Sequence, residues 1–213
     1  MKILFFGDSI TDASRTRGSS DAGRVAEQPV IEPGGYGSGY VFLTATELLY
    51  EKPNGYQIIN RGIGGDRLPQ LYARIQLDVW REQPDVLSIL VGTNDVNDGE
   101  NPNYTDVERW GRIYRMMIRD TMEKCPKTKI MICEPFSVKE DCRPLILEYA
   151  AEAKKITQEF GLPFVQLQNK LDEAVKVYGM ETCFYDGTHP NLVGSKVISD
   201  AWLETFQSEI VKE

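Results

Sequence analysis

The chain has 213 residues, of which 41% are hydrophobic and 26% charged, a composition that is ordinary for a globular protein able to bury a sizeable core. The formal net charge of −8 argues against a nucleic-acid partner, because binding phosphate backbones needs a basic face, and it suggests no attraction to anionic membranes. No apolar stretch reaches the roughly 18 residues that a membrane-spanning helix needs.

The start of the chain and its cysteines bear on the cellular compartment. The apolar run Ile3–Phe6 is too short for the hydrophobic part of a secretion signal. The four cysteines show no Cys-x-x-Cys spacing, and we expect them to be reduced thiols that pack in the interior rather than a metal cluster; they are Cys125, Cys133, Cys142 and Cys183. These features predict a cytoplasmic protein.

Five short apolar runs rich in β-branched residues are predicted to be strands. Their apolar residues are continuous rather than alternating, which is typical of a parallel sheet covered on both faces. In chain order the runs are Lys2–Phe6, Tyr56–Asn60, Asp85–Val91, Thr128–Cys133 and Pro163–Gln166.

Amphipathic helices are predicted between the strands. Residues 105–108 (TDVE) are predicted to form a capping box, in which the Thr105 hydroxyl and the Glu108 carboxylate would satisfy backbone N–H groups at a helix start. The helix that follows should bury one face, made of Trp110, Ile113, Tyr114, Met117 and Ile118. A second helix is predicted over Leu145–Phe160, and a last helix runs from Val193 to Phe206.

The alternation of strand and helix predicts a single α/β domain over residues 1–213, a three-layer α/β/α sandwich with right-handed crossovers. One segment, Thr11–Gly35, breaks this rhythm. It shows little periodicity, is rich in Gly, Ser and Pro, and carries Arg15, Arg17 and Arg24. A loop of this length in a compact domain is usually functional or disordered.

The first motif with catalytic potential is GDSIT, which spans Gly7–Thr11 directly after the first predicted strand. Ser9 therefore sits at the carboxyl end of that strand, where open α/β sheets form their ligand crevice. A plainer interpretation is that Asp8 or Ser9 caps the following turn. The pentapeptide alone leaves both interpretations open.

The second motif is DGTHP, which spans Asp186–Pro190 and contains the single histidine of the chain, His189. Serine becomes a good nucleophile when a base takes its proton, and histidine has a suitable pKa at neutral pH. Asp186 lies three residues earlier on a glycine-containing turn and can orient the other ring nitrogen, while Pro190 keeps His189 out of a helix. A surface histidine or a metal ligand assisted by carboxylates are the alternatives.

Two further motifs follow the second and third strands. The glycine-rich block NRGIGGD covers Asn60–Asp66, where a backbone N–H could approach a ligand closely, although glycines also simply make turns. The block GTND covers Gly92–Asp95, where the Asn94 amide could stabilise an oxyanion or form an Asx turn. All four motifs are predicted to meet at one rim of the sheet. Their combined chemistry of nucleophile, base, orienting carboxylate and oxyanion donors is that of acyl transfer.

Taken together, GDSIT, NRGIGGD, GTND and DGTHP resemble the four sequence blocks of the SGNH (GDSL-type) hydrolase family, in the same order. The resemblance extends from Gly7 to Pro190, nearly the whole chain; the first block reads GDSI rather than GDSL, which leaves the serine in place. Within the family the chain is most similar to intracellular carbohydrate acetylesterases, acetylxylan esterases in particular. The similar features are GDSITD with its arginine-containing loop, the segment Gly37–Tyr40 and the strand DVLSILVGTNDV.

The resemblance implies a flavodoxin-like sandwich with a five-stranded parallel sheet, and a serine esterase that needs no cofactor and no metal. Ser9 is the implied nucleophile, and Asp186 and His189 complete the triad. The implied substrate is a small-molecule ester, in particular an acetylated sugar or oligosaccharide. Relatives often form homo-oligomers.

The resemblance also implies three donors of an oxyanion hole. Two are the backbone N–H groups of Ser9 and Gly65, with Gly64 as the adjacent candidate if the register slips by one residue. The third is the side-chain amide of Asn94. These donors would stabilise the negative charge of a tetrahedral intermediate.

Other functions remain open at this point. A general short-chain carboxylesterase and a lysophospholipase- or thioesterase-like acyl hydrolase would share the same machinery. A non-catalytic flavodoxin-like binding module would share only the fold, and a metal-dependent phosphoesterase would use Asp8, Asp186 and His189. The loop after Ser9 and the polar segments Asp95–Asp106 and Glu134–Arg143 are expected either to wall a pocket for a hydroxyl-rich ligand or to form solvated surface.

Overall fold

The computed structural model describes residues 1–18, 31–96 and 102–211. Its centre is a sheet of five parallel strands in the order β2-β1-β3-β4-β5. The strands are β1 (Lys2–Gly7), β2 (Gln57–Gly62), β3 (Val86–Leu90), β4 (Lys129–Cys133) and β5 (Phe164–Val165). All five predicted strands are confirmed, with bounds that differ by at most two residues.

The described residues contain eight α-helices, two of which are single short turns. They are α1 (Ser9–Asp12), α2 (Tyr40–Glu51), α3 (Leu68–Ile75), α4 (Val107–Lys124), α5 (Arg143–Phe160), α6 (Gln168–Tyr178), α7 (Met180–Cys183) and α8 (Leu192–Thr205). Short 3₁₀ turns occur at Pro33–Tyr36 and Thr93–Asp95, and π turns extend α3 and α8 over Gln76–Trp80 and Phe206–Ile210. The three helices predicted individually correspond to α4, α5 and α8.

Helices cover both faces of the sheet, which confirms the predicted three-layer sandwich. Because side chains alternate along a strand, Ile3 and Phe5 of β1 face one core while Leu4 and Phe6 face the other. The first core is closed by α2, α6 and α8, and the second by α3, α4 and α5. All strands are therefore buried on both sides, which explains their continuous apolar runs.

The start of α4 differs from the predicted capping box. Asp106, not Thr105, is the N-cap, and its carboxylate accepts a hydrogen bond from the Arg109 N–H at 2.9 Å. Glu108 is exposed and pairs with Arg112 one turn further along. The buried face of α4 is as predicted except that Ile113 is only partly buried.

The strand order places a switch point between β1 and β3. From β1 the chain crosses to β2 on one side and later to β3 on the other, so the connections leave a crevice above the carboxyl end of β1. This is the flavodoxin-like arrangement that the resemblance implied. The crevice is the place where Ser9 follows β1.

Two glycines let α1 lie directly on the strand ends. Gly7 and Gly62 are register partners at the carboxyl ends of β1 and β2. A Cβ atom at Gly62 would lie 2.1 Å from the backbone nitrogen of Asp12, and one at Gly7 would lie 2.4 Å from the Leu90 carbonyl oxygen. No side chain fits at either position. At Gly62 the contact with α1 is backbone against backbone, whereas at Gly7 α1 contributes the Thr11 hydroxyl, whose Oγ1 lies 2.3 Å from the Cβ position.

The irregular segments are described only in part. Of Thr11–Gly35, Thr11 and Asp12 belong to α1 and Pro33–Tyr36 forms a 3₁₀ turn, whereas Arg24 lies outside the described residues. Residues 97–101 of the segment Asp95–Asp106 also lie outside them. Within the ranges that the structure describes, no helix combines the length and the apolar character needed to cross a bilayer.

The cysteines agree with the prediction of reduced packing residues. Cys125, Cys133 and Cys183 are free, buried thiols, and Cys142 is partly buried. Burial raises the pKa of the Cys133 thiol to about 12, although a hydrogen bond with Ser88 opposes this rise. Cys133 is therefore an unreactive core residue.

Candidate active site

Ser9 is the first residue of α1, at the carboxyl end of β1. Asp8 precedes it as the N-cap, and its Oδ1 accepts a hydrogen bond from the Ile10 N–H at 3.0 Å. The capping role that the sequence left open thus belongs to Asp8, while the Ser9 side chain is available for other contacts. The cap fixes the turn that carries Ser9.

The second carboxylate oxygen of Asp8 is buried and, among the described residues, has no hydrogen-bond partner. Burial raises the pKa of the Asp8 carboxyl to about 7, against the opposing effect of the Ile10 N–H bond. The nearby carboxylate of Asp95 raises it further. Near neutral pH a large share of Asp8 is therefore uncharged.

Ser9, His189 and Asp186 form one hydrogen-bonded chain. Ser9 Oγ lies 2.9 Å from His189 Nε2, and His189 Nδ1 lies 2.8 Å from Asp186 Oδ2. Because an ionised carboxylate can only accept, His189 Nδ1 donates to it, and Nε2 of the neutral ring is left to accept the Ser9 hydroxyl proton. Residues 180 positions apart in sequence are thus joined at the predicted rim.

The turn from Asp186 to His189 holds the carboxylate in place. Asp186 Oδ1 accepts the backbone N–H groups of Thr188 and His189 at 2.9 and 2.8 Å. Burial raises the pKa of the Asp186 carboxyl, but the hydrogen bonds from the His189 N–H and ring and from the Thr188 N–H outweigh it and lower the pKa to about 2. Asp186 is therefore ionised at any pH at which the protein would be studied.

The glycine-rich loop after β2 lies beside the serine. A Cβ atom at Gly64 would be 3.8 Å from Ser9 Cβ, and the Gly64 N–H donates to Asp12 Oδ2 at 3.0 Å. Gly65 adopts φ +82°, a conformation that favours glycine. Since Asp12 already occupies the Gly64 N–H, Gly65 is the better of the two candidate donors.

Asn94 is joined to the same loop. Its Nδ2 donates to the Asp66 carbonyl oxygen at 3.0 Å, and Asp66 directly follows Gly65. Asn94 lies in the 3₁₀ turn after β3, at the rim of the sheet where the four motifs were predicted to meet. Gly65 and Asn94 also line one polar cavity of about 450 Å³ together with Thr93.

Ser9 and His189 line a separate cavity of about 510 Å³, which is bounded on one side by Gly64. The strongly exposed ring of Tyr185 stands at its edge. A third, smaller cavity is lined by residues of the predicted wall Glu134–Arg143, namely Ser137, Lys139 and Cys142, together with Asn94 and Thr188. The predicted wall segments that the structure describes thus border the site.

Several residues that brace the site were not predicted. Asp12 receives the Arg17 guanidinium at 2.6 Å besides the Gly64 N–H. Arg15 Nε donates to the Gly62 carbonyl oxygen at 2.9 Å. Arg74 bonds to Asp66 and to the carbonyl oxygen of Gly7. The arginines in the loop after Ser9 could have indicated the contacts of Arg15 and Arg17. Arg74 lies inside a helix, where no sequence pattern distinguished it.

The described part of the chain contains no group of three or more histidine, cysteine, aspartate and glutamate side chains arranged to hold a metal ion. The two ring nitrogens of His189 are engaged by Ser9 and Asp186.

The chain is similar in sequence and fold to known proteins. The chain is 29% identical to the acetylxylan esterase of Geobacillus stearothermophilus over 219 aligned positions, which cover 99% of this chain and 96% of that protein. A solved structure from Parabacteroides merdae, described as a GDSL-like lipase, has 37% identity, a TM-score of 0.86 and coverage of 97% and 95% of the two chains. The crystal structure of Axe2, an acetylxylan esterase from G. stearothermophilus, has 27% identity, a TM-score of 0.81 and coverage of 96% and 93%.

The family assignment rests on a sequence model rather than on any single relative. The model of the GDSL-like lipase/acylhydrolase family matches residues 5–197, a span that contains all four motifs and every residue of the hydrogen-bonded chain described above. The same family was inferred from the four sequence blocks. This chain therefore belongs to the GDSL-like lipase/acylhydrolase family and is a carboxylic ester hydrolase by family.

Proposed function

We propose that the protein hydrolyses acetyl esters of carbohydrates, with Ser9 as nucleophile, His189 as general base and Asp186 as the carboxylate that orients it. The observation that carries this proposal is the hydrogen-bonded chain from Ser9 Oγ to Asp186 Oδ2, with steps of 2.9 and 2.8 Å. A hydroxyl, an imidazole and an ionised carboxylate in this order are what acyl transfer requires.

In the first step His189 Nε2 takes the proton of Ser9 Oγ while Oγ attacks the carbonyl carbon of the ester. The carbonyl electron pair moves to oxygen, and the imidazolium that forms is stabilised by ionised Asp186. His189 then gives its proton to the alcohol oxygen as the ester C–O bond breaks. The alcohol leaves, and the acyl group remains on Ser9.

The oxyanion of the intermediate is proposed to lie between three donors. These are the backbone N–H groups of Ser9 and Gly65 and the side-chain amide of Asn94. The support is that Gly65 has a positive φ and directly follows Gly64, which lies beside Ser9, and that the bond to Asp66 holds the Asn94 amide against the same loop. Donors fixed before the reaction need no reorganisation when the charge develops.

The second step regenerates the enzyme. His189 takes a proton from water, the hydroxide oxygen attacks the acyl carbon, and a second tetrahedral oxyanion forms in the same place. When this intermediate collapses, the bond to Ser9 breaks and Oγ recovers the proton from His189. The released acid is acetate if the substrate is an acetyl ester.

The substrate is proposed from the relatives. The curated relative is an acetylxylan esterase, and other solved structures of Axe2 carry descriptions as acetyl-xylooligosaccharide esterase. Three Axe2 structures are described as catalytic mutants, with a serine, an aspartate or a histidine replaced, and the last two are three positions apart, as Asp186 and His189 are. We transfer this chemistry to the present chain as a hypothesis.

We further propose one hydrolase domain over residues 1–213 and a cytoplasmic site of action. The family match over residues 5–197 supports the first, and so does the packing of the described helices against the two faces of one sheet. The free, buried thiols of Cys125, Cys133 and Cys183 support the second, because unpaired cysteines suit a reducing compartment.

Replacing the nucleophile tests the mechanism. Ser9→Ala should abolish hydrolysis of p-nitrophenyl acetate and labelling by a fluorophosphonate probe. Ser208→Ala is the matched control, because Ser208 is exposed and its hydroxyl donates to the Thr205 carbonyl oxygen in the preceding helical turn. The mechanism is wrong if purified, folded Ser9→Ala keeps full activity, and a wild-type protein that neither labels nor hydrolyses would point to a binding module.

A second experiment tests the substrate. We expect acetate release from acetylated xylo-oligosaccharides to exceed release from other acetylated sugars, and activity on simple esters to fall sharply beyond acetyl. Activity that rises with acyl length would instead indicate a lysophospholipase- or thioesterase-like enzyme. Equal activity on short acyl chains with no preference for sugars would indicate a general short-chain carboxylesterase.

A further inference from the structure

Arg74 of α3 connects three segments that meet at the site. Its Nε donates to Asp66 Oδ2 at 2.7 Å, and its Nη1 donates to Asp78 Oδ2 at 2.6 Å. Its Nη2 donates to the carbonyl oxygen of Gly7 at 3.1 Å. The guanidinium also lies over the Phe6 ring, 4.4 Å from its centroid.

Two of these partners sit next to the proposed reacting groups. Gly7 is two residues before Ser9, so its carbonyl group belongs to the turn that presents the nucleophile. Asp66 directly follows Gly65, and its own carbonyl oxygen receives the Asn94 amide at 3.0 Å. The path from Arg74 therefore reaches the nucleophile turn, the glycine loop and, through Asp66, the asparagine.

The helix that carries Arg74 is also attached to the loop after β3. The N–H of Leu68, the first residue of α3, donates to the carboxyl oxygens of buried Asp95 at 3.3 and 3.1 Å. Asp95 is the neighbour of Asn94. One short helix thus contacts all three loops that supply proposed oxyanion donors.

The environment makes these contacts effective. The Arg74, Asp66 and Asp78 side chains are 16%, 14% and 13% exposed, so water competes little for their hydrogen bonds. A guanidinium offers five N–H donors in a rigid plane, and three different acceptors use that plane here. A lysine could not satisfy all three at once.

We propose that Arg74 is a positioning residue for the oxyanion hole: it holds the Gly65–Asp66 backbone, and through it the Asn94 amide, at a fixed place relative to Ser9. The inference rests on the proposed function. In this role Arg74 does not contact the substrate. Its effect should therefore fall on the rate of the chemical step rather than on binding of the ground state.

The first test compares Arg74→Gln with Arg115→Gln. Arg115 is a close match: it is 19% exposed, pairs with Glu152 and Glu159, and donates to one carbonyl oxygen, that of Gly111, but it joins α4 to α5 away from the site. For Arg74→Gln we expect kcat for p-nitrophenyl acetate to fall roughly 10- to 100-fold with KM within about twofold, because small displacements of catalytic groups cost up to about 10²-fold. Arg115→Gln should lower the melting temperature without this loss of kcat.

The second test asks whether Arg74 acts through the asparagine. In a double-mutant cycle, Arg74→Gln should reduce kcat by a much smaller factor when Asn94 is already Ala, since the group it positions is gone. If Arg74→Gln does not fold, Arg74→Lys at a temperature below its melting point replaces it. The lysine variant keeps the positive charge but loses the planar set of N–H donors. Its kcat is expected to lie between those of wild type and Arg74→Gln.

The outcomes separate the inference from the proposed function. A kcat for the Arg74 variants within about threefold of Arg115→Gln, or the same factor of loss with and without Asn94, overturns the positioning role. In that case the function stands if wild type is active and Ser9→Ala is not. A wild-type protein that is neither labelled by fluorophosphonate nor active on any ester overturns the function itself.

Discussion

Both ring nitrogens of His189 are engaged before any substrate arrives, by Ser9 on one side and by Asp186 on the other. The ring is therefore held in one orientation and one tautomer, although the His189 and Asp186 side chains are about half exposed. The two backbone N–H bonds to Asp186 Oδ1 explain how an exposed carboxylate can keep this geometry. Local hydrogen bonds, rather than burial, hold the proposed base.

Asn94 offers a graded test at the level of a single residue. Asn94→Ala should lower kcat by about 10²–10³-fold and leave measurable activity, because one of three proposed oxyanion donors is lost while the nucleophile and base remain. Single-turnover kinetics with p-nitrophenyl acetate would measure the acylation step directly. Complete inactivity, or unchanged kcat, would contradict the role assigned to the asparagine.

The residues that the sequence identified and those that it missed differ in how they act. Ser9, His189 and Asn94 carry chemistry of their own within short blocks, so their types and positions were informative. Arg74 acts only through partners that are distant in sequence, such as Gly7 at a separation of 67 residues. An arginine on an amphipathic helix has no local feature that distinguishes it from a solvated charge.

Among the elements, the strands and long helices followed from their patterns, but their ends did not always. A buried parallel strand is a continuous apolar run, and α4 and α5 each repeat an apolar stripe over 18 residues. Helices α2, α3 and α6 were not predicted individually. Helix α3 owes part of its start to Asp95, a partner 27 residues away that no local pattern contains.

Two mutations distinguish the observed cap of α4, Asp106, from the predicted capping box that includes Glu108. Asp106→Ala should lower the free energy of unfolding by about 1 kcal/mol, since it removes the acceptor for the Arg109 N–H. Glu108→Ala should change it by less than about 0.5 kcal/mol, because the exposed Glu108–Arg112 pair contributes little. Urea denaturation followed by circular dichroism measures both. The reverse order would restore the capping box that the sequence suggested.

At the scale of the whole molecule, two carboxyl groups buried beneath the site affect stability. Burial raises the pKa values of Asp8 and Asp95 to about 7 each, from an ordinary value of 3.8, against opposing hydrogen bonds. Between about pH 4 and pH 7 the folded protein therefore binds protons that the unfolded chain has released, and the free energy of unfolding should fall as pH rises through this window. Asp186 acts in the opposite sense, because its pKa is lowered to about 2. Its contribution to the free energy of unfolding is complete above about pH 4 and is lost as the pH falls toward 2.

Replacing one buried carboxyl checks this dependence. Asp8→Asn keeps an oxygen to accept the Ile10 N–H but cannot ionise, so it should match wild type near pH 5 and be more stable near pH 8, by about 2–3 kcal/mol. Urea denaturation at pH 5, 6, 7 and 8 would show a flatter profile for the variant. A wild-type stability that rises steadily from pH 5 to pH 8 would contradict the assignment.

The close contact of α1 with the strand ends also has a consequence for how new ester specificities could evolve in this scaffold. Gly7 and Gly62 leave no room for any side chain, so a mutational library should tolerate nothing else there. Ser38 and Tyr185, by contrast, line the cavity beside Ser9 without belonging to that contact. In a laboratory selection, accepted substitutions should therefore occur at residues that line the cavity, whereas Gly7 and Gly62 should remain glycine in every selected variant.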